Sequence, residues 1–217
     1  MQGSRTGFRI FDRDPVGFVR NASLLVCQPL LPGRTPLALG ATIYTFDIEL
    51  ADTDRAVYQS LNLRVAQHPS ETPDYLLTRV LAYCLEYAEG IAFSKGLSDP
   101  DEPAIAVRDL TGALQVWVDI GLPEPERLHR ASKAAPRVAV YTHKDPAQWI
   151  VKLAAAKIHR AEKLDVFAID RAWLTHFVAK LERRMEFSLA RSEGEIYLTM
   201  GGETSQTVLA RPLAATA

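Results

Sequence analysis

The stretch IAVRDLTGALQVWVDIG, residues 105–121, decides the fold. Two apolar runs, 105–108 and 114–120, flank Asp109-Leu110-Thr111-Gly112, which predicts two short strands joined by a tight turn. Asp109 anchors that turn, its carboxylate bonding the main chain just ahead of it. Side chains alternate along a strand, so Trp117, Asp119 and Gly121 fall on one face of the second strand. A carboxylate that ends an otherwise apolar strand needs a partner once buried: a metal, another polar group, or the cap of a following helix.

Upstream, residues 41–50 alternate apolar and polar side chains, and residues 57–65 repeat the pattern with Leu61, Leu63 and Val65 on one face. With Asp52, Thr53 and Asp54 between them, the two runs predict a hairpin. Thr72 as N-cap, Pro73 at the first helical position and Asp74 in the first turn open a helix. Its apolar face is Leu76, Leu77, Val80, Leu81, Cys84 and Leu85, and Gly90 closes it. A short extended run, 91–93, and an acidic loop, 99–102, lead into the hairpin.

Downstream, residues 125–135 read as a helix with Leu128, Ala131 and Ala135 inward and Arg127, Arg130 and Lys133 on other faces. Strand 137–142, helix 146–162 and strand 164–169 follow in the order of a parallel crossover. Asp170 caps a last helix reaching about residue 184, striped by Leu174, Phe177, Val178 and Leu181. Runs 186–190, 195–199 and 207–210 complete a meander.

Composition narrows the functional classes. The 217 residues are 47% hydrophobic and 24% charged, as in a globular protein with a sizeable core. Lys and Arg number 25 against 26 Asp and Glu, so no global field draws the chain to nucleic acid or an anionic membrane. Cys27 and Cys84 form no CxxC or zinc-site pattern, which suits a reducing cytoplasm. No run approaches the ~20 apolar residues of a membrane span. His68, His129, His143, His159 and His176 show neither HxH nor HExxH spacing, and GxSxG, Walker and GxGxxG patterns are absent. Lys152, Lys157, His159, Arg160 and Lys163 make one segment basic, as a solvated face or a track for phosphates.

One helix, three strands, a helix and a strand between residues 73 and 142 is the element order of the PD-(D/E)XK nuclease core. In that fold two strand carboxylates hold a magnesium-type cation, and a lysine two residues beyond the second supports attack. The stretches ATIYTFDIELADTDRAVY, RVAQHPSET, KGLSDPDEP, RDLTG and WVDIGLP, in this order, resemble the YaeQ family over residues 37–209. The resemblance implies a bacterial cytoplasmic α/β protein with a PD-(D/E)XK nuclease-like αβββαβ core and mixed sheet. It also implies a β-hairpin and a β-meander added by the two ends. Residues 37–217 then form one domain, and residues 1–36 an extension, either a disordered tail or an over-extended gene start.

Carried onto this chain, the family's Pro-Asp-Leu-Trp becomes Pro103-Ala104-Ile105-Ala106, and the lysine position is Gly121. Asp119 stands at the second acid position. Glu102 offers a stand-in for the first acid, or is only a solvated member of its acidic loop. Glu71 matches an additional acidic ligand of related nucleases, or is a carboxylate favoured by the helix dipole. Lys133 could replace the missing ammonium, or simply be a solvated helix lysine. Two of three motif positions are lost, so the expected function is a non-catalytic module binding nucleic acid or a protein, with no metal required. The alternative is a phosphodiesterase holding Mg2+ or Mn2+ on Asp119, Glu102 and Glu71, with Lys133 as the cation.

Overall fold

The structure, a computed structural model, describes residues 40–94 and 101–213. The predicted extension 1–36 and Asp99 of the acidic loop lie outside the described residues.

The chain enters through β1 (Thr42–Asp52) and β2 (Val57–Gln67), an antiparallel hairpin pairing Phe46 with Leu63 and Tyr44 with Val65. Thr72 caps α1 (Pro73–Leu85), its hydroxyl accepting the Tyr75 N–H at 3.2 Å. Next come β3 (Ile91–Phe93), β4 (Ile105–Arg108), β5 (Leu114–Ile120), α2 (Pro125–Ala134) and β6 (Arg137–Thr142), the predicted helix, three strands, helix and strand. Then follow α3 (Ala147–Ala155), β7 (Leu164–Ala168), α4 (Arg171–Val178), β8 (Arg184–Ser192), β9 (Glu195–Met200) and β10 (Glu203–Val208).

The strands form two five-stranded mixed sheets, ordered β10-β9-β8-β1-β2 and β3-β4-β5-β6-β7. In the first, β8 runs parallel to β1, Phe187 facing Ile48, so the first and last parts of the described chain share one sheet. In the second, β5, β6 and β7 are parallel. One apolar cluster joins Phe46 and Ile48 of the first sheet, Leu76 and Val80 of α1, Leu174 of α4, and Val118 and Tyr141 of the second sheet. Helix α1 is accordingly buried on several sides, including at Thr78 and Arg79, because it lies between two apolar sheet faces. The opposite face of the second sheet packs Trp117, Val138 and Val140 against Leu128 of α2 and Trp149 of α3.

Two predicted helices are shorter than their periodicity suggests. The run 146–162 is helical only to Ala155; Arg160 then turns with φ 50° into a short 3-10 turn. Ile158 packs against the second apolar cluster, and that burial outweighs the helix propensity of the run. The last helix stops at Val178 rather than near residue 184, because Arg184 has joined β8 opposite Thr45. The final strand spans 203–208 rather than 207–210, leaving Ala210 in an isolated bridge to Ala168.

Candidate functional site

Asp119 lies near the end of β5 on the face packed by α2, beside Trp117 as alternation requires. The connection to α2 is so short that the first turn of that helix lies over the strand end, and Arg127 reaches back. Its Nε donates to Asp119 Oδ2 at 2.8 Å and its Nη2 to Oδ1 at 2.8 Å. Nη2 also donates to the Glu102 carbonyl at 2.7 Å, and the guanidinium carbon stands 5.4 Å from the Trp117 ring centre. The bonds to Asp119 hold the Arg127 guanidinium above its ordinary pKa. The cation that meets Asp119 is thus Arg127; Lys133, six residues on, is exposed in the last turn of α2.

Glu71 is buried just before the α1 cap. Its Oε2 accepts the His68 N–H at 3.0 Å, and Arg79 Nη2 stands 3.0 Å from Oε1. Burial pushes the Glu71 carboxyl up from its ordinary pKa, against the pull of Arg79 and the His68 bond. Arg79 also donates to the Ala66 carbonyl at 2.8 Å, tying α1 to β2. Sequence periodicity hides Arg79, which sits among the apolar positions of α1.

Glu71, Glu102 and Asp119 therefore do not gather round a common point. Asp119 and Glu71 each face an arginine, and Glu102 offers its carbonyl while the residue is exposed. Among the described residues no group of three His, Cys, Asp or Glu side chains is arranged to hold a metal ion. Ala104 is buried in the main apolar cluster. Gly121 leaves β5 with φ +89°, where its N–H donates to the Tyr141 carbonyl at 2.8 Å; a lysine there would be strained even though the space is open. A glycine at position 121 is thus a backbone requirement of the strand exit.

A cleft of about 610 Å³ opens beside these pairs, between the first turn of α1, the end of β6 and the start of α4. The carboxyl ends of parallel strands are where α/β folds commonly bind ligands. Tyr75 lines the cleft; burial pushes its hydroxyl up to about 12, and it feels the charges of Arg79, Glu71, Asp119 and Arg127. His143, with no partner legible in the sequence, meets Thr78 across 65 residues, Nδ1 at 3.0 Å from Oγ1.

Two mixed five-stranded sheets with four α-helices, arginine-bound carboxylates and a polar cleft at the strand ends define a mixed α/β protein. The family model described as YaeQ protein matches residues 37–209, and the chain belongs to the YaeQ family. It is 33% identical over 165 residues to the curated YaeQ protein of Escherichia coli, described as uncharacterized, covering 75% of this chain and 91% of that one. The Salmonella typhi protein is 30% identical over 164 residues, with the same coverage. The crystal structure of YaeQ from Xanthomonas axonopodis pv. citri is similar at TM-score 0.73 and 30% identity, over 79% of this chain and 98% of that one. YaeQ from Pseudomonas syringae gives 0.72 and 29%, over 79% and 96%.

Proposed function

We propose that this chain acts by binding rather than by cutting: a non-catalytic, cytoplasmic module on a PD-(D/E)XK nuclease-like core, holding a nucleic-acid or protein partner. The element order from α1 to β6 supports the core, and the Asp119–Arg127 pair carries the functional reading. A magnesium-type ion needs carboxylate oxygens with lone pairs to give. Here both oxygens of Asp119 are engaged by one guanidinium in a bidentate pair, the strongest geometry that side chain makes. The donor set as arranged does not fit the ion.

The test is thermal unfolding with and without millimolar Mg2+ or Mn2+, alongside cleavage assays on DNA and RNA. The expected result is no metal-dependent rise in melting temperature and no cleavage. A rise that vanishes in Asp119→Asn, together with cleavage, would overturn the reading in favour of a phosphodiesterase with Asp119, Glu102 and Glu71 as ligands and Lys133 as cation.

A further inference from the structure

The cleft beside α1 carries an unused histidine. Thr78 Oγ1 donates its single hydrogen to the Asp74 carbonyl at 2.7 Å, so towards His143 it can only accept. The proton between them therefore sits on His143 Nδ1, and in the neutral ring Nε2 is a bare acceptor. His143 is 7% exposed and lines the cleft; with Nδ1 tied back to Thr78, Nε2 is the nitrogen left to face it. Among the described residues Nε2 has no hydrogen-bond partner.

The rest of the lining is two-signed. Lys144 and Arg171 are exposed at the mouth, and among the described residues neither side chain forms an ion pair. Asp74, in the first turn of α1, likewise keeps its carboxylate unbonded among the described residues. Glu71 is already neutralised by Arg79. A simple anion would satisfy the two cations and be repelled by Asp74 and by the lone pair of Nε2. A cation would meet the reverse conflict. A ligand with an anionic group at one end and hydroxyl donors at the other satisfies all four groups. The cleft, at about 610 Å³, falls within the ~300–1,000 Å³ typical of small-molecule sites.

We propose that this cleft binds a phosphorylated sugar, its phosphate held by Lys144 and Arg171 and its hydroxyls donating to His143 Nε2 and Asp74. Burial keeps the ring below its ordinary pKa of 6.5, with Lys144 and Arg171 adding to the effect and Asp74 opposing it. His143 is therefore an acceptor at neutral pH. The site needs neither Asp119 nor a metal, so it stands or falls separately from the binding-module reading.

The test is calorimetric titration of the full chain at pH 7.5 with ribose 5-phosphate, and with ribose and inorganic phosphate as its two halves. Ribose 5-phosphate is expected to bind saturably and at least about tenfold more tightly than either half, each tenfold being ~1.4 kcal/mol. The double variant Lys144→Ala/Arg171→Ala, with both positions exposed, should keep its melting temperature and lose at least about tenfold in affinity. A long-range nitrogen–proton NMR correlation should show His143 protonated at Nδ1 and bare at Nε2. Adenosine 5′-monophosphate, run in parallel, separates the sources: tighter binding than ribose 5-phosphate assigns the site to nucleotides, weaker binding to free sugar phosphates, and either supports the class. Three results would overturn the proposal: no saturable binding, binding unchanged in the double variant, or inorganic phosphate binding as tightly as the sugar phosphate.

Discussion

Arg127 and Asp119 meet edge to edge, two guanidinium nitrogens each 2.8 Å from a different carboxylate oxygen, at the end of a parallel strand. Asp119 is 2% exposed, so removing its partner leaves a charge that water cannot reach. Arg127→Ala is expected to cost about 2–4 kcal/mol, and a double-mutant cycle with Asp119→Ala should show strong coupling. Lys133→Ala, on the exposed face of the same helix, should stay within about 0.5 kcal/mol. Denaturant midpoints check all three, and a larger effect at Lys133 than at Arg127 would contradict the geometry.

Gly90 does not close α1, which ends at Leu85 with Glu86 as its cap, but turns the chain into β3 with φ +81°, and a Cβ there would stand 1.9 Å from the Arg108 carbonyl oxygen. That carbonyl belongs to the end of β4, whose N–H donates to the Gly90 carbonyl at 3.1 Å. Gly90→Ala therefore forces two strands apart as well as straining the backbone, and should cost more than about 3 kcal/mol. Gly112→Ala is the control: φ +84° in open space, so only the left-handed penalty of about 1–2 kcal/mol applies. Equal losses in the two variants, by chemical denaturation, would refute the steric argument.

The buried His143 ring takes a proton less readily than its unfolded counterpart, whose pKa is near 6.5. Its contribution is complete above that value and is lost as pH falls through the lower, folded one, because only the unfolded chain gains the proton easily. Burial is the main cause; Asp74 on α1 opposes it, and Lys144 after β6 and Arg171 on α4 add to it. Glu71, with its raised pKa, acts in the opposite sense: its contribution is present below 4.5 and is lost as pH rises through the folded value. The readout is thus the difference between wild type and His143→Gln. Wild type should lose more stability than the variant between pH 7.5 and 5.5, and parallel curves would refute the assignment.

Cys84 is fully buried in the main apolar cluster, and burial pushes its thiol up to about 12. The thiolate is the reactive form, so the folded protein should leave this residue unmodified by a thiol reagent at pH 8. In a Cys27→Ser background, labelling should appear only across the unfolding transition. Rapid labelling of the native state would show that α1 opens readily.

Local pattern determined the elements. Strand alternation, the Thr72-Pro73 cap and the Asp109 turn depend on neighbouring residues, and each is found as read: Asp109 Oδ1 accepts the N–H groups of Thr111 at 2.9 Å and Ala113 at 3.0 Å. The motif comparison also identified the family. Helix lengths were less legible. Propensity carries the runs 146–162 and 170–184 onward as helix, while long-range burial of Ile158 and pairing of Arg184 with Thr45 end them early.

The partners of the charged groups were decided only by the tertiary structure. Asp119 and Glu71 were visible as polar residues in structured surroundings and His143 only as a histidine without a partner, yet nothing local says that Arg127, Arg79 and Thr78 complete them. A buried charge takes whichever counter-charge the packing brings within hydrogen-bonding distance, and that depends on how helices cross sheets. The hairpin at 105–121 was thus legible as the place where a carboxylate would stand, whereas the arginine engaging it could be read only once α2 lay across the end of β5.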